Sequence, residues 1–175
     1  GDFDGAVFRS SDNGATWASI AECPASGINY LVWAAGSLLI GSDNGLWRWT
    51  PGPGCILLAD ASHGRVFTAA AVGDVIYFGG TGGLYKITDG QVQKLAPDQV
   101  MILGILPGAP SIAIGVNSQQ LLWWRTDSDA VQPLYRFPDV EAGQPSGDGS
   151  NSLWVATSRG LYRSDLSTWL ARNRD

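Results

Sequence analysis

Three observations predict an all-β chain made of stacked, similar units. A short phrase recurs: AVFRSS from Ala6, GLWRWT from Gly45, GLYKIT from Gly83, LLWWRT from Leu121 and GLYRSD from Gly160. With Val7, Leu46, Leu84, Leu122 and Leu161 as equivalents, the steps are 39, 38, 38 and 39 residues, a period that belongs to one supersecondary unit stacked on its copies. The 175 residues also carry 23 glycines and 9 prolines spread along their length, as many-turned β proteins do. Asn-Gly and Asp-Gly pairs separate the β-rich runs, where positive φ is cheap and hairpins form.

Within one period the runs come in fours, labelled a to d. In the second unit Tyr30 to Ala34 is run a, and Ala35-Gly36 turns the chain. Leu38 to Gly41 is run b, followed by the turn Ser42-Asp43-Asn44-Gly45. Leu46 to Thr50 is run c, then Pro51-Gly52-Pro53-Gly54 leads into run d, Cys55 to Ala59. The third unit repeats this with Val66 to Val72, Val75 to Gly79, Leu84 to Thr88 and Val92 to Leu95. No stretch reads as a long helix. Four-stranded antiparallel units of about forty residues are the blades of a β-propeller. The expected units are 1–22 (partial), 28–60, 65–97, 100–138 and 140–171 of a single domain.

The first unit supplies only strands c and d, which gives about four full blades plus half of another and predicts a part of a larger ring. Propellers remove open strand edges by completing such a blade. The last unit is the least regular, because its a strand must come from the β-poor VEAGQPSGDG segment, 140–149. Strand c carries Phe8, Trp47, Tyr85, Trp123 and Tyr162 at equivalent places, and packing between blades is their expected role.

Composition excludes several functions. A net charge of −5 with 11 dispersed Lys and Arg argues against a nucleic-acid partner, since phosphate contacts need clustered cations. No run is long and apolar enough to span a bilayer. The chain lacks an initiator Met and a signal-peptide pattern. The N-terminus is thus expected to be processed, engineered or excerpted, which leaves room for a removed export signal, and an extracytoplasmic location is favoured over a cytoplasmic one. Cys23 and Cys55 lie at different points of the repeat, so two buried free thiols are the expected state, with a disulfide as the other possibility. His63 is the sole histidine; it is expected to be an exposed turn residue, and no metal or other cofactor is expected.

Ser10-Ser11-Asp12-Asn13-Gly14-Ala15-Thr16-Trp17 fits S-x-D-x-G-x-x-W and resembles the Asp-box, or BNR repeat, found between strands c and d of propeller blades. Its structural residues would be Ser10, Asp12, Gly14 and Trp17. Asp12 would accept turn amides, Gly14 would be left-handed, and Trp17 would pack back on its blade. Ser164-Asp165 with Trp169 looks like a shortened relic. The resemblance implies a superfamily that includes sialidases, xyloglucanase-type glycoside hydrolases, sorting-receptor ectodomains and a photosystem II assembly factor. In those families the box lies at the blade periphery, away from the active site.

Tyr135-Arg136-Phe137-Pro138 is similar to the sialidase F/Y-R-I-P motif, but it follows the box where the family's motif precedes it, so it reads as chance. Asp2 and Asp4 are the nearest approach to an acid pair, and paired-carboxylate hydrolysis requires two acids across a cleft. Both read as structural. Binding is expected on the face carrying the b–c turns (Asp43, Asn44, Asn117, Gln119, Arg159) and the d–a connections (His63, Arg65, Asp98, Glu141). The expected function is a non-catalytic propeller that binds or scaffolds another protein, or that joins the missing part of its own ring. A glycan-active or glycan-binding Asp-box protein is the rival expectation.

Overall fold

The computed structural model describes the backbone of residues 6–20, 23–96, 100, 102–105, 112–117, 120–125, 131–136, 142–147 and 152–165, and the side chains of 6–20, 23–96, 100 and 152–165. The chain divides into two compact units, Gly1–Gln99 and Val100–Asp175.

Among the described residues, the first unit holds three antiparallel sheets. β1 (Phe8–Arg9) and β2 (Ala18–Ser19) form a two-stranded sheet. β3 (Ile28–Ala34), β4 (Ser37–Ser42), β5 (Gly45–Thr50) and β6 (Gly54–Asp60) form a meander in sequence order. After a 3₁₀ turn at Ala61–His63, β7 (Val66–Val72), β8 (Val75–Gly80), β9 (Gly83–Thr88) and β10 (Gln91–Ala96) repeat it. The tight turns follow from the local sequence: Ala35 and Gly36 have φ of 48° and 68°, and Asp89 and Gly90 have 51° and 75°, which is the two-residue hairpin geometry that matches strand twist.

The two complete meanders share their irregularities as well as their strands. The β3–β4 register shifts between Ile28 and Tyr30, and the β7–β8 register shifts at the equivalent place, between Val66 and Thr68. These shifts make Leu31 equivalent to Ala69 and Trp33 equivalent to Ala71.

Alternation in β4 divides the core. Leu39 joins Leu46, Val66, Ala69, Phe78 and Tyr85 in a cluster between the two four-stranded sheets. Ile40 points the other way and joins Val7, Cys23, Ala25 and Trp47 against the β1–β2 side. Leu39, Ile40, Leu46 and Phe78 are fully buried, and each such side chain contributes about 1.5–3 kcal/mol. Gly41 permits the close approach of the sheets, since a Cβ there would lie 2.9 Å from the Val66 carbonyl oxygen and 3.0 Å from its Cγ1.

The second unit holds a four-stranded sheet of β11 (Ile102–Ile105), β12 (Ile112–Asn117), β13 (Gln120–Arg125) and β14 (Val131–Arg136). Beside it lies the three-stranded sheet of β15 (Ala142–Gly147), β16 (Ser152–Thr157) and β17 (Gly160–Asp165), with β15 adjacent to β11 and β12. The β-poor 142–147 segment does form a strand. The expected last d strand, near Trp169, lies outside the described residues, as do Asp2, Asp4, Phe137 and Pro138.

Three expectations are corrected. Cys23 and Cys55 are joined in a disulfide across a Cα separation of 5.2 Å. They differ in repeat position, but the segment entering β3 passes beside the outer strand β6, a contact that periodicity does not encode. His63 is half-buried, at 26% side-chain exposure, because the 3₁₀ turn folds its ring edge-on to Tyr85 and Phe78 with centroids 5.2 and 6.2 Å apart. The strand-c aromatics pack between sheets only in part. Trp47 and Tyr85 are buried, whereas Phe8 is 47% and Tyr162 45% exposed; the residue at this place faces the preceding sheet, and for Phe8 no preceding sheet lies among the described residues.

Candidate functional site

The rim of the first unit is built from the Asp43–Asn44 turn, the β6-to-β7 connection and the turn at Thr81–Gly82. Asn44 is the strut of this rim. Its Oδ1 accepts from the Ser26 amide at 3.1 Å and the Trp47 indole Nε1 at 3.2 Å, and its Nδ2 donates to the Pro24 carbonyl at 2.7 Å. Ser42 Oγ lies 2.8 Å from both Asn44 Oδ1 and the Gly45 carbonyl, and its single proton serves one of them at a time. The amide of Asp43 donates to the Ser26 and Gly27 carbonyls. Residues 24–27 are thereby laced to the turn.

Asp43 carries the rim outward. Its Oδ1 accepts from Asn29 Nδ2 at 2.9 Å and lies 3.7 Å from Arg65 Nε. Arg65 and Thr81 exchange two bonds, from the Arg65 amide to Thr81 Oγ1 at 2.9 Å and from the Thr81 amide to the Arg65 carbonyl at 3.0 Å. The Arg65 side chain is 61% and the Asp43 side chain 39% exposed, so the ion pair is a solvated surface feature of small energetic worth. Among the proposed rim residues, Asp43, Asn44 and Arg65 therefore share one patch, and His63 stands beside it.

Around His63, Asp60 caps the 3₁₀ turn. It accepts from the Ser62 amide at 3.0 Å and the Ser62 hydroxyl at 2.5 Å, and lies 3.2 Å from His63 Nδ1. The Ser62 hydroxyl, then its amide, hold the Asp60 carboxyl below its ordinary range. Ser62 Oγ and Asp60 meet the same imidazole nitrogen, Nδ1, at 3.3 and 3.2 Å. A nucleophilic triad places serine and carboxylate on opposite ring nitrogens; this cluster is a cap. Arg159 is exposed in the second unit, its amide donating to Thr157 Oγ1. Asn117 ends β12 with its side chain undescribed, and Gln119, Asp98 and Glu141 lie outside the described residues.

The 10–17 loop closes on itself. Asp12 Oδ1 accepts from the Thr16 amide at 2.9 Å and Oδ2 from the Thr16 hydroxyl at 2.6 Å. Ser10 Oγ donates to Asp12 Oδ1 and accepts from the Gly14 amide, both at 2.8 Å. Gly14 has φ of 89°. The Trp17 indole donates to the Gly14 carbonyl at 3.2 Å while its ring stays 64% exposed; it rests on the loop instead of packing into a core. The Thr16 side chain, then its amide, and the Ser10 hydroxyl lower the Asp12 pKa to about 2.

Sequence reading missed a second surface. On β3, Leu31 and Trp33 are 37% and 60% exposed, and by register they pair with Ile40 and Leu38, on the face turned to the β1–β2 sheet. Alternation along β3 was the available signal, and the unbroken apolar run from Tyr30 to Ala34 concealed it.

No protein-family model matches the chain, and no curated protein matches it in sequence. Among solved structures, the chain is similar to the extracellular domain of the BT4673 system from B. thetaiotaomicron, with a TM-score of 0.73 and 15% identity over 93% of this chain and 25% of that one. It is also similar to Chaetomium thermophilum Sqt1 bound to the N-terminus of ribosomal protein L10, with a TM-score of 0.70 and 16% identity over 94% of this chain and 54% of that one. An ancestral GH74 enzyme gives a TM-score of 0.66 and 16% identity over 79% of this chain and 22% of that one. The chain thus spans about a quarter of the BT4673 domain's length. At 16% identity or below, these likenesses show a β-propeller fold and carry nothing about activity.

Proposed function

We infer that this chain is a non-catalytic β-propeller module that binds or scaffolds another protein within a larger assembly. The observation that carries this is the half-covered face of the β3–β6 sheet. In the next sheet the equivalents of Leu31 and Trp33 are Ala69, 1% exposed, and Ala71, and they are covered by β3 and β4. Among the described residues, the preceding sheet offers β1 and β2, which cover Ile40 and Trp47 and leave Leu31 and Trp33 exposed. A sheet face carrying an exposed Trp and Leu supports a polypeptide neighbour, on this chain or another, that covers it. The Asp43–Arg65 rim is the second contact surface, on the face where propellers bind.

We read the 10–17 loop as an Asp-box, from its serine–aspartate–threonine bonding and left-handed glycine. That motif and the fold likeness to a GH74 enzyme support the rival glycan-active or glycan-binding reading. The disulfide supports an extracytoplasmic location, because such bonds persist in oxidising compartments.

The test is Trp33→Glu in the tagged protein isolated from its native source. The native assembly, sized by gel filtration, is expected to lose mass or fall apart, and equal elution of variant and parent contradicts the assembly reading. Glycan-array binding that Arg65→Ala abolishes would instead establish the rival.

A further inference from the structure

We propose that the Cys23–Cys55 disulfide is a redox-sensitive brace for the Asp43–Arg65 rim. This rests on the reading of that rim as a binding surface and names how it is regulated. Cys23 opens the segment that runs through Pro24, Ser26 and Gly27 to β3, and every bond from that segment to the b–c turn ends on Asp43 or Asn44: the Pro24 carbonyl on Asn44 Nδ2, the Ser26 amide on Asn44 Oδ1, and the Ser26 and Gly27 carbonyls on the Asp43 amide. Gly27 lies so close that a Cβ on it would meet the Asp43 carboxylate at 2.6 Å. The bridge ties this segment to β6, the outer strand of the same sheet. Asp43 in turn holds Asn29 and faces Arg65. The covalent link thus sits at one end of a short chain of contacts whose other end is the exposed ion pair.

The bridge is placed to be opened. Cys23 is buried in the cluster with Ile40 and Trp47, but Cys55 is half-buried on β6, beside Ile56 and Leu57, which are 42% and 45% exposed. A dithiol reductant attacks the Cys55 sulfur as its thiolate, and Cys23 leaves as a thiolate that takes up a proton. The second thiol of the reductant then resolves the mixed disulfide. The reductant gives up two electrons and two protons and ends as a disulfide, and the protein gains two thiols. Residues 24–27 then depend on their bonds to the Asn44 side chain and the Asp43 amide.

The test is amide hydrogen exchange on the whole chain, oxidised and after dithiothreitol. Exchange at Ser26 and Asp43 is expected to quicken on reduction through local opening, about tenfold beyond any rise at Tyr77 and Phe78 in β8. Unchanged rates at Ser26 and Asp43 overturn the proposal, and so does an equal rise at all four amides, which would make the bridge a global staple. Asn44→Ala in the oxidised protein is expected to quicken the same two amides, and rates unaffected by it break the proposed route. No ligand enters these readouts. A rim that binds nothing would still show the exchange pattern, and that failure is read separately, by partner binding to Arg65→Ala.

Discussion

The indole nitrogen of Trp47 donates to Asn44 Oδ1 three residues earlier, at 3.2 Å, and in the next sheet the Tyr85 hydroxyl donates to the Gly82 carbonyl with the same spacing, at 2.9 Å. The strand-c aromatic is thus a tie for its own b–c turn as well as core. In the second unit the turn keeps another tie of this kind, Thr157 Oγ1 to the Gly160 carbonyl at 2.8 Å, matching Ser42 to Gly45. Because Asn44 also anchors Pro24 and Ser26, Asn44→Ala is expected to lower stability by about 1–3 kcal/mol, measured by urea unfolding. Asn44→Asp keeps the acceptor, loses the donor to Pro24, and should fall between the two.

Asp12 is expected to titrate near pH 2 in the folded protein, below its ordinary 3.8. A depressed carboxylate contributes stability that is fully present above the unfolded value, and the contribution is lost as pH falls through the folded one. The 10–17 loop should therefore loosen between about pH 4 and pH 2, seen by NMR as coupled shifts of Asp12 and the Thr16 amide. Asp12→Asn should remove this transition, and Thr16→Val should raise the Asp12 pKa toward its ordinary value.

Gly41 faces Val66 across the two four-stranded sheets. Gly41→Ala is expected to cost about 1–3 kcal/mol by overpacking, since the nearest atom is backbone and cannot step aside. Gly36→Ala, where a Cβ meets nothing within 4 Å, should cost through its φ of 68° alone. Thermal unfolding of the two variants separates crowding from backbone strain.

The Cys23–Cys55 bridge closes a 32-residue separation that encloses β3, β4 and β5. Constraint of the unfolded chain over such a loop is worth about 3–4 kcal/mol. Cys55→Ser should lower the unfolding free energy by about that amount under oxidising conditions, measured by urea unfolding, and leave that of the fully reduced protein nearly unchanged.

The repeat made the sheets legible, because strand c keeps its pattern and the turn residues carry the local signal for positive φ. The observed β7 coincides with its sequence assignment, and β3 to β6 extend theirs by a residue or two at the ends. Two things were not legible. The disulfide joins positions that are unrelated within the period, and pairing in space follows the packing of the linker on β6. The placement of His63 depends on a 3₁₀ turn capped by Asp60, which brings the ring against Tyr85, a contact between elements that no local pattern announces. Of the candidate site, the residue types of the rim were visible in the sequence, but the convergence of Asp43 and Arg65 and the exposure of Trp33 emerge only from the strand register.

The most direct test of the assembly account is oxidative footprinting of Trp33 by mass spectrometry, in the isolated chain and in the protein within its native assembly. Trp17, 64% exposed on its own loop, serves as the internal reference. Trp33 is expected to be modified as readily as Trp17 in the isolated chain and to be protected in the assembly. Equal modification of Trp33 in both states would contradict the claim that a polypeptide neighbour completes this face.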